Sequence, residues 1–168
     1  MIREGRAWVF GDNVNTDLII PGKYLDDYDP THLASHAMEG IRKDFAARVR
    51  PEDVIIAGRN FGCGSSREQA VVALHHAGIS LVIAKSFARI FYRNAINLGM
   101  LVMTSQTASD SIEDGEIVVV DMDGLHVSTR DGAEKASLEM VPGRAKEILD
   151  SGGLIPYIKL KLKNQGRQ

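Results

Sequence analysis

Residues Val54 to Met103, VIIAGRNFGCGSSREQAVVALHHAGISLVIAKSFARIFYRNAINLGMLVM, alternate short apolar runs with helix-patterned segments. Val54-Ile55-Ile56-Ala57 reads as a buried strand ended by Gly58, Leu81-Val82-Ile83-Ala84 as a second and Leu101-Val102-Met103 as a third. Between the first two, Ala70, Ala73, Leu74 and Ala77 recur at helical spacing and Gly78 is placed to stop the helix. Its start falls at the serine pair, because Ser65 with Glu68 and Ser66 with Gln69 both fit a capping box. Between the last two, Ser86 is placed to cap a helix carrying Phe87, Ile90, Phe91, Ala95 and Leu98 and ending at Gly99. Strand, helix, strand, helix, strand with short connections is the pattern of crossover units on a largely parallel sheet.

Upstream, Arg6 to Phe10 reads as a strand, followed by a turn-rich segment from Gly11 to Lys23. Pro30-Thr31 opens a predicted helix in which Leu33, Ala37, Ile41 and Phe45 share a face, with Gly40 as its weak point. Downstream the pattern changes. Glu116 to Asp121 and Leu125 to Thr129, joined across Met122-Asp123-Gly124, predict a β-hairpin. A short helix follows from about residue 143 to 149, then Gly152-Gly153 and a basic tail expected to be flexible from about residue 161. There is no internal repeat and no low-complexity segment. The expectation is one α/β domain over residues 1–168, with a largely parallel central sheet and an additional β-rich layer.

A chain of 168 residues can bury one sizeable core. Its 44% hydrophobic and 25% charged residues are ordinary for a soluble globular protein. Twenty basic against 22 acidic residues predict no broad affinity for nucleic acid or anionic membrane. The single cysteine excludes an internal disulfide framework and a cysteine-only metal or cluster site within this chain. Met1 to Gly5 show no apolar stretch after a basic one, and no apolar run approaches a membrane span, so the expected location is cytoplasmic.

The serine turn reads as an anion site. A helix start carries roughly half a positive charge and unpaired N–H donors, and Arg67 adds a planar fork for a carboxylate. Gly62 and Gly64 let backbone approach a ligand closely. The plainer alternative is that Ser65 and Ser66 only cap the helix while Arg67 pairs with a surface acid. A nucleophilic Ser65 lacks a visible base: the G-x-S-x-G elbow is absent, and His75 and His76 lie about three turns down the helix. His32 and His36 have the i,i+4 spacing of a metal pair but no third ligand, so they read as a partly exposed face and no metal site is expected. Gly-Ser-Ser replaces the Gly-Lys-Ser/Thr of a P-loop, and Cys63 reads as a small turn residue.

Three motifs in order carry a resemblance over essentially the whole chain. They are Gly11-Asp12-Asn13-Val14-Asn15-Thr16-Asp17-Leu18-Ile19-Ile20-Pro21, then Asn60-Phe61-Gly62-Cys63-Gly64-Ser65-Ser66-Arg67-Glu68, then Ala84-Lys85-Ser86-Phe87-Ala88-Arg89-Ile90-Phe91-Tyr92-Arg93-Asn94. Together they resemble the small-subunit family of 3-isopropylmalate dehydratases, the detached swivelling β/β/α domain of the aconitase superfamily. The resemblance implies a large-subunit partner that holds a four-iron–four-sulfur cluster, with no cofactor bound by this chain. It implies dehydration and rehydration of a small hydroxy-dicarboxylate in leucine biosynthesis. By the same resemblance Ser65 matches the serine whose alkoxide takes the proton, and Ser66 and Arg67 match the residues that hold substrate carboxylate. An alkoxide becomes affordable where a helix start, oriented N–H donors and a guanidinium converge in a water-poor interface.

The resemblance also makes Lys23-Tyr24-Leu25-Asp26-Asp27-Tyr28 the specificity loop. Homoaconitase-like members resemble Tyr-Leu-Arg-Thr there, the arginine pairing with an extra carboxylate. Here Asp26 stands in that arginine's place and Asp27 follows, which argues against a third substrate carboxylate and leaves Tyr24 and Leu25 as the pocket wall. The other reading of these two acids is a solvated loop with no substrate role. Alternatives are the same chemistry on 2,3-dimethylmalate or a homoaconitate-type acid, and a non-catalytic RNA-binding relative, against which the near-neutral charge speaks. The partner-facing surface would let the lone subunit self-associate.

Overall fold

In the computed structural model, which describes residues 1–140 and 142–165, the three apolar runs are strands. They are β2 (Val54–Ala57), β3 (Leu81–Ala84) and β4 (Leu101–Thr104), and β1 (Ile2–Val9) precedes them. All four run parallel in the order β4-β3-β2-β1, with Ala7 paired to Val54, Val54 to Leu81 and Leu81 to Leu101. Every residue of β2 and β3 is buried, as expected of parallel strands covered on both faces. Alternation decides which face each side chain serves. Trp8, Ile55, Val82 and Val102 pack under the helices, whereas Ala7, Val54, Ile56, Leu81 and Ile83 face the opposite way.

The second face is covered by the β-rich part: β5 (Ile117–Asp121), β6 (His126–Thr129) and β7 (Glu134–Ser137), the last unforeseen in the sequence. Val118, Val120, Val127 and Ala136 join the inward-facing residues of the parallel strands in one cluster. This layer is continuous with the parallel one. The first half of β1 pairs antiparallel with β5, from Ile2 with Asp121 to Arg6 with Ile117, while its second half pairs with β2. The seven-stranded sheet therefore curls over itself, and its two edges meet where Thr104 and Glu139 exchange backbone hydrogen bonds of 3.1 and 2.8 Å. Two β layers and one helical layer result, the three-layer α/β class expected.

The helical layer comprises α1 (Thr16–Ile19), α2 (Pro30–Ser35), α3 (Phe45–Arg48), α4 (Glu68–His76) and α5 (Arg89–Leu98). The short α6 (Ala108–Ser111) follows β4, and α7 (Arg144–Asp150) and α8 (Leu154–Gln165) close the described chain. The single helix expected from Pro30 is broken into α2 and α3. Met38 adopts φ 58° and donates its N–H to Ile19 O at 2.7 Å, and a Cβ on Gly40 would lie 2.6 Å from Leu18 Cα. Docking of α1 thus overrides local periodicity, and Ile41 is left 44% exposed while Leu33, Ala37 and Phe45 are buried. Lys161 to Gln165, read from sequence as the start of a flexible tail, continue α8; residues 166–168 lie outside the described residues.

Candidate active site

The chain segments leaving β1, β2 and β3 run on side by side beyond the carboxyl ends of the parallel strands, where open α/β sheets place their sites. Asn13 N–H donates to Arg59 O, Gly62 N–H to Val14 O and Thr16 N–H to Cys63 O, each at 2.8 Å. The third segment joins through Phe61 N–H to Ser86 O at 3.0 Å and Ala88 N–H to Phe61 O at 2.9 Å. Ser86 does not cap α5, which begins at Arg89 after Ala88; its hydroxyl accepts from Asn60 N–H at 2.9 Å instead. Phe91 is buried against the turn, and a Cβ on Gly62 would overlap its ring, while φ +76° at Gly62 independently calls for glycine. All three motifs singled out in the sequence therefore meet at one turn.

Neither serine caps α4, contrary to the expected capping box. The helix starts at Glu68 with Arg67 in the cap position, in extended conformation and without a side-chain cap bond. Ser65 and Ser66 are exposed one turn earlier. Ser65 Oγ lies 3.3 Å from Thr16 Oγ1, a hydroxyl partner that orients it and is no base. Thr16 itself is 2% exposed and opens α1, which is capped by Asn15 Oδ1 accepting from Leu18 N–H at 2.9 Å. The next residue, Asp17, forms an ion pair through Oδ1 with Arg67 Nη1. A Cβ on Gly22 would lie 3.7 Å from both Arg67 Nη2 and Asp17 Oδ1, so the loop begins close to the guanidinium. The site gathers an uncapped helix start, two exposed serine hydroxyls of which Ser65 is paired with Thr16, and an arginine fixed at one nitrogen.

The loop behind it splits into an anchored and an exposed part. Gly22–Tyr24 is a 3-10 turn, and Tyr24 and Leu25 are half-buried against the helical-layer core. Tyr24 Oη donates to both carboxylate oxygens of Glu39, at 2.9 and 3.0 Å, and its ring stacks on His36 at 3.6 Å between centroids. His36 Nδ1 is 2.6 Å from Glu39 Oε2, and Lys23 Nζ is 3.2 Å from Oε1. With His36 foremost, these donors hold the Glu39 carboxyl far below its ordinary value of 4.5, at about 2. Asp26, Asp27 and Tyr28 are exposed, and Asp27 Oδ1 accepts from Asp29 N–H at 2.8 Å. His32 sits edge-on to His36 at 4.9 Å. Among the described residues no three His, Cys, Asp or Glu side chains group to hold a metal, and the sequence's one cysteine, Cys63, cannot by itself supply the thiolate set of an iron–sulfur cluster.

Thr16, Asp17 and Glu39 were not legible as site residues. The first two lie inside a quoted motif, but only folding brings them to Ser65 and Arg67; Glu39 had the His-x-x-Glu spacing as its one signal.

An α/β sheet carrying a serine–arginine helix start at its carboxyl end defines an aconitase-type C-terminal domain, and residues 44–108 match the aconitase C-terminal domain family. The chain is 51% identical to the methanogen homoaconitase small subunit of Methanocaldococcus jannaschii, over 100% of this chain and 98% of the relative. It is 50% identical to the 3-isopropylmalate dehydratase small subunit 1 of Methanopyrus kandleri, over 92% and 91% of the two chains. A crystal structure of 3-isopropylmalate dehydratase from Methanocaldococcus jannaschii superposes with a TM-score of 0.95, at 50% identity and 99% coverage of both chains. The chain belongs to the family of isopropylmalate dehydratase and homoaconitase small subunits, hydro-lyases of the aconitase type.

Proposed function

We propose that this chain is the catalytic small subunit of a two-chain hydro-lyase that converts 2-isopropylmalate to 3-isopropylmalate, as in leucine biosynthesis. The observation that carries the reading is the uncapped Ser65 beside Arg67 at the start of α4. Ser65 as alkoxide takes a proton from the carbon next to a substrate carboxylate. Ser66 and the N–H donors of the helix start face that carboxylate, and Arg67, held at Nη1 by Asp17, offers its remaining N–H groups. A four-iron–four-sulfur cluster, which the resemblance assigns to the large subunit, would supply the Lewis acid for the departing hydroxyl. Water then adds back with the proton and hydroxyl exchanged between neighbouring carbons. The two halves of the chemistry lie in different chains, so this chain alone is inactive.

The substrate follows from the loop. Asp26 and Asp27 are exposed beside the half-buried Tyr24 and Leu25 and disfavour a third carboxylate. The 51% identity to a homoaconitase small subunit supports a tricarboxylate as the second reading. Anaerobic reconstitution with the cognate large subunit, followed by parallel assays of isopropylmalate, 2,3-dimethylmalate and homocitrate, decides between them. Best turnover is expected with isopropylmalate; best turnover with homocitrate would overturn the loop argument, and full activity without a partner would sink the two-chain reading.

A further inference from the structure

Glu39 receives three donors from two directions. Lys23 Nζ and Tyr24 Oη reach it from the loop, and His36 Nδ1 reaches it from the end of α2. A carboxylate can only accept, so the 2.6 Å contact places a proton on His36 Nδ1. The backbone bonds of the turn are local: Tyr24 N–H donates to Pro21 O and Leu25 N–H to Gly22 O. No ladder bond ties this turn to the sheet among the described residues. What fixes its polar side is Glu39, with the Tyr24 ring clamped on His36 at an interplanar angle of 11°. The contact also decides what the tyrosine can offer. Its hydroxyl proton is committed to Glu39, its ring stacks on His36, and Lys23 Nζ lies 4.6 Å from the ring centroid.

We infer that Glu39 is a positioning residue that locks the pose of Lys23–Leu25 and with it the placement of Asp26 and Asp27, which disfavours an additional substrate carboxylate. This rests on the reading that residues 23–28 face the substrate. Glu39 acts through Tyr24 and touches no reacting atom. Its charge adds to those of Asp26, Asp27 and Asp29, and Lys23 is the one lysine or arginine within residues 22–29, so the outer part of the loop repels a further anion. Removing it frees a phenol donor and deletes one of those negative charges.

Two measurements test this separately. In the full chain alone, hydrogen exchange of amides in residues 22–28 is expected to rise about tenfold in Glu39→Ala, the loss expected for hydrogen bonds to a charged group, with exchange in β2 unchanged. Unchanged loop exchange overturns the inference even if the chain is the proposed subunit. Should Glu39→Ala fail to fold, Glu39→Gln and Tyr24→Phe carry the same test, each removing part of the contact. In the reconstituted enzyme, Glu39→Ala should raise KM for isopropylmalate about tenfold with kcat within about twofold, and weaken discrimination against homocitrate. The Tyr24→Phe/Glu39→Ala double variant should match the more affected single variant, because both act through one contact. Additive effects, or a fall in kcat alone, overturn the positioning role. Loss of loop exchange protection without any change in substrate preference overturns the selection and leaves Ser65 chemistry untouched.

Discussion

At Ser65 a hydroxyl paired with that of Thr16 stands at the mouth of a helix whose first turn has no side-chain cap. Ser65→Ala in the reconstituted enzyme is expected to lower kcat by about 10²–10⁴-fold, the range of a lost general base, while the two chains still co-purify. Near-normal turnover would remove Ser65 as base. Asp17 raises a sharper question, because its carboxylate occupies one nitrogen of the arginine assigned to the substrate. The pair orients the fork: Asp17 is 63% exposed and Arg67 21%, so Asp17→Asn should change stability by less than about 1 kcal/mol yet raise KM several-fold. A lowered KM would instead make Asp17 a competitor of the substrate. Glu39 gives a pH dependence. Its carboxyl is depressed to about 2, so its contribution is complete above the ordinary value of 4.5 and fades as pH falls from there toward 2. Acid unfolding of the wild type and Glu39→Gln should therefore converge over that window; a constant gap would contradict it.

Among elements, the turn between β2 and α4 depends on packing from α5. Phe91 lies against Gly62, and Ser86 holds the backbone of Asn60 and Phe61 from the segment ahead of α5. Gly62→Ala combines a positive φ with overlap on a buried ring and is expected to cost about 2–5 kcal/mol by thermal or urea unfolding. A neutral result would mean that Phe91 moves freely and the turn is not set by it. The motif Ala84–Asn94 thus serves as the support of the serine turn rather than as a second site. Its role was not readable from helix-capping rules, because Ser86 had the right spacing for a cap and uses its hydroxyl across the fold. The serines at 65 and 66 failed the same rule for a related reason: residues 59–63 pair with 13–16, and the bend that follows, in which Arg67 N–H donates to Ser65 O at 2.8 Å, delays the helix to Glu68.

For the whole molecule, β1 joins the parallel and antiparallel halves, and Ile83, fully buried, packs between them. A shared strand and core predict a single unfolding unit. Fluorescence of Trp8, the only tryptophan, should report the same urea midpoint as far-UV circular dichroism, and Ile83→Ala should shift both by about 2–5 kcal/mol. Two separate midpoints would divide the chain into two domains. The apolar side chains Ile155, Ile158, Leu160 and Leu162 of α8 stay exposed, the last two alternating with Lys159, Lys161 and Lys163, in the stretch that the sequence offered only as a basic tail.

Local patterns in the sequence determined the alternation of buried strands and helices, the glycine–serine–arginine turn and the hairpin, because strand burial and turn chemistry are written within a few residues. The three motifs, taken together, also marked the family. Tertiary structure alone decided that the β-rich part shares β1 with the parallel sheet and curls back over it, since strand pairing over more than a hundred residues leaves no local trace. It likewise decided that α1 breaks the helix after Pro30, that Thr16 and Asp17 reach the serine turn, and that Glu39 takes hold of Tyr24. Each of these is a contact between segments distant along the chain, formed only when the core beneath them closes.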